Sequence, residues 1–322
     1  MILNSPLFLC ETSILPLISL LFSVFKNHVF EYNVFMKPFS ARVLLAAVFI
    51  ARGTSFLFSK QLLTNLSPMS ILAVRFLLAF LVLALIFNKK IRQLDHKSLK
   101  GGIILGLLYT VCMIFEMYGL RLIDSGVSSL IENMAILFVP LYVAVLTRKF
   151  PKIKTIICAL LAIIGVAFLS LTQFEKSNGA LGIVLMICAA LTYAACILVT
   201  EKVSKDCDAL TVGIFQIGTM GFLSLIVALI TKQMSLPHSQ NEWIMLVFLV
   251  LICTCFGFAF QPLGQKYLPA ENAAVLTVIN PLTASIMGII FAHELLSPLK
   301  IAGYIIILST LYIYNSRLGE KK

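Results

Sequence analysis

Apolar runs of membrane length alternate with short polar breaks along nearly the whole chain. A helix crossing a hydrocarbon core of about 30 Å needs about 20 apolar residues. Ten stretches meet that demand: 41–60, 68–87, 101–120, 125–147, 153–172, 179–199, 209–231, 243–262, 271–292 and 297–315. The breaks carry turn or charge signals, among them "LSP" at 66–68, "NKKIRQLDHKSLK" at 88–100, "TRKFPKIK" at 147–154 and "EKVSKDCD" at 201–208. Several breaks are so short that neighbouring spans must be antiparallel hairpins. The pattern predicts an all-α polytopic membrane protein with ten transmembrane helices.

Composition agrees. Of 322 residues, 60% are hydrophobic and 12% charged, and the mean hydropathy is +1.01. A net charge of +11 would point to nucleic acid in a soluble chain. Here the bases sit in alternate breaks. Lys89, Lys90, Arg92, Lys97 and Lys100 follow the second span, and Arg148, Lys149, Lys152 and Lys154 follow the fourth. Lys202 and Lys205 follow the sixth, Lys266 the eighth, and Arg317, Lys321 and Lys322 the tenth. The other breaks hold about one base each. By the positive-inside rule both ends of the ten-span unit are cytoplasmic, in the cell membrane, and no nucleic-acid partner is expected.

The eight cysteines are scattered without a C-x-x-C and read as small apolar fillers. "HELLS" at 293–297 lacks the second His of a zincin helix. No metal and no cofactor is expected. Residues 1–36 stand apart as an N-terminal extension. The short apolar run Thr12–Phe25 fits a signal h-region or an eleventh span, and "MKPFSAR" from Met36 fits a translation start, the preferred reading.

The chain also aligns on itself. "RLIDSGVSSLIENMAILFVPLYVAVLTRKFPKIK" (121–154) matches "YLPAENAAVLTVINPLTASIMGIIFAHELLSPLK" (267–300) without gaps, setting the fourth span on the ninth. At a slightly different offset "RGTSFLFSK" (52–60) matches "YAACILVTE" (193–201). The predicted organisation is therefore a five-helix repeat over 37–175 and a second over 176–322. An odd number of spans per repeat inverts the second copy. Inverted repeats share a site near the midplane and give alternating access by rocking about it.

The sequence resembles the EamA family of the drug/metabolite transporter superfamily. The resemblance rests on "RGTSFLFSKQLLTNLSPMSILAVRFLLAFLVL" (52–83), "YGLRLIDSGVSSLI" (118–131) and "NPLTASIMGIIFAHELLSPLKIAGYIIIL" (280–308), and covers 41–315. It implies a secondary transporter exporting amino acids or related metabolites. The chain departs from the family pattern in its first half. Arg52 stands where an aromatic residue is usual, Ala135 where a Pro is usual, and Arg148 where a Glu is usual.

Four ionisable residues fall inside predicted spans: Arg52, Arg75, Glu116 and Glu132. Each costs about 2.5–3.5 kcal/mol at a helix centre. They must pair, protonate or line a wet cavity, and two of each sign predict pairing. Each lies on a small or polar stripe at helical spacing: Arg52 with Ser55 and Ser59, Glu116 with Tyr109 and Cys112, Glu132 with Ser125, Ser128 and Ser129. Glu132 could meet a proton, a substrate amine or Arg75, and Glu116 lies close enough to a span end to be hydrated. Arg52 could hold a carboxylate or phosphate, or only neutralise a Glu. The second half offers Gln216, which aligns with Arg75, together with Gln261, Asn280 and Thr277. Such amides either bind a ligand or bridge helices. Pro281 is expected to break the ninth span at mid-depth, and Gly102 and Gly106 to pack helices. Glu271 and Glu294 lie near span ends, and Lys60 is expected to reach the outer surface.

The expected function is proton-coupled export of a small polar metabolite such as an amino acid. The candidate binding residues are Glu132, Glu116, Arg75, Arg52, Gln216 and Asn280. The alternative is a membrane sensor or scaffold with no transport activity. No nucleophile–base pair, paired-Asp motif or Walker A motif points to an enzyme or an ATP motor. The partners expected are the metabolite, protons and the lipid bilayer, and the sequence leaves room for a homodimer.

Overall fold

The computed structural model describes residues 38–93, 95–148, 150, 153–171, 178–291 and 297–315. The N-terminal extension 1–36, Glu294 and the C-terminal bases lie outside these, as does the side chain of Glu271. All regular structure among the described residues is helical. The helices are α1 (Pro38–Leu62), α2 (Pro68–Ile86), α3 (Asn88–Arg92), α4 (His96–Leu122), α5 (Ser125–Glu132), α6 (Ala135–Thr147) and α7 (Ile153–Leu171). They continue as α8 (Gly179–Asp206), α9 (Ala209–Ile230), α10 (Gln240–Phe248), a π-helical segment (Leu249–Phe256), α11 (Gln261–Gln265), α12 (Ala270–Leu276), α13 (Ile279–Phe291) and α14 (Pro298–Asn315). Among the described residues eight stretches are long and apolar enough to cross a membrane. The fifth and tenth predicted spans correspond to α7 and α14, which pack on each other and carry shorter apolar stretches at Ile156–Gly165 and Pro298–Thr310. Side chains such as Leu85, Leu146 and Ile230 stand exposed on the outside of the bundle, where lipid rather than water suits them. The chain is a multi-pass membrane protein.

The polar breaks do the work of helix capping. Ser67 accepts from the Ser70 N–H, with Pro68 in the first turn, where its missing N–H leaves no helical bond unmade. Asp95 and Asp208 each accept two backbone N–H groups at the starts of α4 and α9. Ser239 and Glu242 form a capping box at α10. These caps let the chain reverse within a few residues, so sequential spans lie side by side.

Packing partners fall into matched pairs when the first five spans are set against the second five. The α4–α8 contact has its counterpart in α1 against the π segment, and α4–α9 in α2 against the π segment. The α1–α13 contact has its counterpart in α5 and α6 against α8. The contacts α2–α9 and α7–α14 join corresponding spans directly, and α5–α13 and α6–α12 join the fourth span to the ninth with their halves crossed. Glycines permit the closest of these approaches. A Cβ on Gly106 would lie 2.5 Å from the Thr219 Cβ, so the Gly102/Gly106 motif packs α4 on α9, as expected.

Three spans are not continuous α-helices. The fourth breaks at Asn133–Met134, where bonds tighten to the i+3 pattern (Met134 N–H to Ile131 O, Ile136 N–H to Asn133 O) and the Asn133 side chain donates to Ser129 O at 2.8 Å. The ninth breaks at Thr277–Val278, just before Pro281, whose missing N–H leaves the Thr277 carbonyl to accept from the Asn280 N–H at 2.9 Å instead. The eighth widens into the π segment, unwinds over Gly257–Phe260 and resumes at Gln261.

Candidate functional site

These irregular segments bring the buried polar residues together. Arg52, on α1, is 4% exposed and donates to the Tyr193 hydroxyl on α8 at 3.0 Å and to Gln261 Oε1 at 2.6 Å. Gln261 Nε2 in turn donates to the Tyr109 hydroxyl on α4 at 3.0 Å. The Arg52 guanidinium also lies 4.4 Å from the Phe258 ring centre and 4.8 Å from that of Tyr193. Ring faces and neutral oxygens thus take the place of its hydration shell. Gly257 makes this possible, since a Cβ there would sit 3.0 Å from Arg52 Cγ and 2.2 Å from the Cys253 carbonyl oxygen.

Arg75, on α2, is wholly buried. Its Nε donates to Thr254 Oγ1 at 2.6 Å, and Thr254 itself donates to Leu249 O five residues back, inside the π segment. Its guanidinium lies 5.3 Å from the Phe76 ring centre and 5.9 Å from that of Phe258. Both terminal nitrogens, Nη1 and Nη2, are buried with no hydrogen-bond partner.

Glu116 and Glu132 complete the set. Both are buried, at 2% and 0% exposure, so Glu116 is not at a hydrated span end as expected. It lies in the packed face of α4, beside Met117 and Leu120, which are also buried. Both Glu132 carboxylate oxygens lack a partner. Glu132 and Glu116 lie close enough to interact with each other and with Arg52, and Glu116 also with Arg75. A proton held between the two carboxyl groups would satisfy both.

The expected direct pairing does not occur: among the described residues no ion pair joins any of the four charges. Tyr193, Gln261 and Thr254, all from the second half, have taken the donors that the carboxylates were expected to use. Glu132 approaches Arg52 rather than Arg75. The stripes are as expected, since Ser55, Ser59, Cys112, Ser125, Ser128 and Ser129 are all buried with them.

Of the amides, Asn280 lies beside the site. Its backbone oxygen is 2.7 Å from where a Gly53 Cβ would be, one residue from Arg52, and both its side-chain polar atoms are buried without partners. Gln216 packs by its backbone on Gly102 and Gly106, and its Oε1 has no partner. Neither amide bridges helices, whereas Gln261 does. Lys60 docks on the carbonyls of Leu120, Arg121 and Ile123, at the C-terminal end of α4. Among the described residues no disulfide joins two cysteines and no cluster of metal-ligating side chains occurs. Tyr193, Thr254 and Phe258 are site residues that sequence reasoning missed. A signal for Tyr193 existed, because the self-alignment sets it opposite Arg52, the residue it touches.

A polytopic helical bundle with charged groups from many helices gathered in its dry interior has the form of a membrane transporter. The chain belongs to the EamA-like transporter family, whose pattern matches residues 40–171 and again 180–316. It is 23% identical to the uncharacterized transporter YetK of Bacillus subtilis over 80% of this chain and 81% of that one. It is 25% identical to an uncharacterized transporter of Archaeoglobus fulgidus over 88% of each chain. A solved crystal structure shares the fold with a TM-score of 0.64 at 15% identity, covering 86% of this chain and 96% of that one. The protein is a transporter.

Proposed function

We propose that this transporter is a proton-coupled secondary exporter of a small polar metabolite, an amino acid or a close relative. Two inverted five-span repeats, 37–175 and 176–322, would rock about the Arg–Glu cluster. The cell membrane would hold the protein with both ends of the ten-span unit in the cytoplasm. Support for the repeats comes from the two successive family matches and from the paired packing contacts. Further support is the contact between Arg52 and Tyr193, corresponding positions of the two halves.

The observation that carries the reading is the state of the buried charges. Two arginines and two glutamates share one dry region without a single ion pair among them, and Glu132 and Arg75 keep unmatched polar atoms. A scaffold gains nothing from unmatched charge, whereas a carrier needs groups that can trade a proton or a neighbour for a ligand. In this reading Glu132 and Glu116 hold the coupling proton or the substrate ammonium in turn. Arg52, Arg75 and Asn280 define the other walls, and Gln216 supports α4.

Thermal stabilisation of the detergent-purified protein tests this. Amino acids, nucleobases, organic acids and polyamines would be compared at two pH values. Stabilisation by amino acids, lost in Glu132→Gln, is expected. Stabilisation by another class alone would replace the substrate. Stabilisation unchanged in Glu132→Gln would remove that residue from the site.

A further inference from the structure

The two buried arginines differ in what remains free on them. Arg52 is committed: Tyr193 and Gln261 hold its Nη1, the rings of Phe258 and Tyr193 lie against its guanidinium, and the bonds run on through Gln261 to Tyr109. These contacts link α1 and α4 to α8 and α11 across the two halves of the molecule. Arg75 is committed only through Nε, to Thr254. Its Nη1 and Nη2 lie buried with no partner. Burial of such donors is unfavourable unless something occupies them at some point in the working cycle.

The geometry points to Arg75 as the receptor for the carboxylate of the substrate, bound by two parallel N–H bonds from Nη1 and Nη2, with Arg52 a strut rather than a ligand. This rests on the proposed transport of an amino-acid-like metabolite and adds which end of the substrate goes where. The free edge of the guanidinium is planar and presents two nitrogens side by side, the shape that matches a carboxylate. Thr254 fixes the direction of that edge through Nε, and the rings of Phe76 and Phe258 lie beside the guanidinium. The charge is also suited to a monoanion. Arg52 and Arg75 carry two positive charges, and with one proton shared between them Glu116 and Glu132 would carry one negative charge. One carboxylate neutralises the remainder, while a doubly charged phosphate would place excess negative charge beside two glutamates. The ammonium of the same substrate then falls to the Glu116–Glu132 side, and its arrival displaces the shared proton.

The test compares the acid with its isosteric amide. Proteoliposomes of the wild type, Arg75→Lys and Arg75→Gln would be assayed for counterflow of a mixture of the twenty radiolabelled L-amino acids. L-amino acid amides would serve as competitors, and size-exclusion profiles would confirm that each variant is folded. The expected result is wild-type counterflow that amides do not inhibit. Arg75→Lys, which keeps the charge but loses the fork, should need at least tenfold more amino acid. Arg75→Gln should lose the preference of acid over amide. Folded Arg75→Gln with wild-type preference overturns the assignment while leaving amino-acid transport intact. If the wild type moves no amino acid, the transport reading fails on its own, and the assignment passes to a binding arm with L-leucine, L-leucinamide and 4-methylpentanoate. Thermal stabilisation by the two carboxylates but not the amide, absent in Arg75→Gln, then upholds it, and any other pattern overturns it.

Discussion

Replacing Arg75 with Met should make the substrate-free protein more stable, although it removes the largest fully buried side chain of the bundle. In the native protein Nη1 and Nη2 are out of water without a partner. Each such group costs about 1–3 kcal/mol of desolvation. The substitution removes that penalty. It also removes the Nε bond to Thr254 and the ring contacts with Phe76 and Phe258. A hydrogen bond from a charged donor contributes about 1.5–3 kcal/mol and a cation–ring contact about 0.5–2 kcal/mol. Thr254 is not orphaned, because it still donates to Leu249 O. Met fills a similar length with flexible apolar atoms, so no large cavity follows. The charge itself adds the deciding contribution, since an unpaired charge at mid-span carries an insertion penalty of about 2.5–3.5 kcal/mol. The sum favours Met by about 1–3 kcal/mol, or a rise of a few degrees in the unfolding midpoint at about 2–4 °C per kcal/mol. Thermal unfolding in mild detergent without added ligand measures it, and counterflow of the same preparation should be lost. A midpoint lowered by several degrees would refute the reasoning and make Arg75 a structural anchor.

Other perturbations follow from the same contacts. Gly257→Ala forces a Cβ towards the Cys253 carbonyl and Arg52 Cγ, so it should lower stability by about 1–3 kcal/mol and impair transport together; unchanged thermal unfolding would show that the unwound segment yields freely. Asp208, at the polar start of α9, is opposed by burial. Lys90 at 2.6 Å and the N–H groups of Thr211 and Leu210 outweigh this and hold its carboxyl below the ordinary range. Its contribution is therefore complete above the unfolded carboxylate pKa of about 3.9 and is lost as the pH falls through the lower folded value. Because Asp208 is 41% exposed, the ion pair is screened, and Asp208→Asn should lose no more than about 1 kcal/mol at pH 7, a gap that closes at an acid pH below the lowered folded value. Parallel unfolding curves of the two proteins at both pH values would check this, and an undiminished gap at low pH would contradict it.

Much of the architecture was written in the hydropathy. Span positions, the breaks between them and the inward direction of the charged stripes follow from periodicity and turn chemistry. The interruptions were legible only where Pro281 marks one. Asn133 and the "CTCFG" run carry no strong breaker before Gly257, and their departures from α geometry depend on packing across the two halves. The pairing expectation failed for a physical reason. Counting charges finds equal numbers of each sign, but a buried guanidinium can be met by hydroxyl, amide and ring partners as well as by carboxylates. The partners it found, Tyr193, Thr254 and Gln261, lie 141, 179 and 209 residues away along the chain. Glycine approaches such as Gly53 to Asn280 are of the same long-range kind.

In the proposed mechanism the buried Arg–Glu cluster couples a proton to the movement of an amino-acid-like metabolite. The most direct measurement is flux of labelled amino acids from proteoliposomes under an imposed pH gradient, wild type against Glu132→Gln. Wild-type flux should follow the gradient and collapse when a protonophore dissipates it, with folded Glu132→Gln inactive under the gradient. Wild-type flux indifferent to the gradient, or a fully active Glu132→Gln, would contradict it.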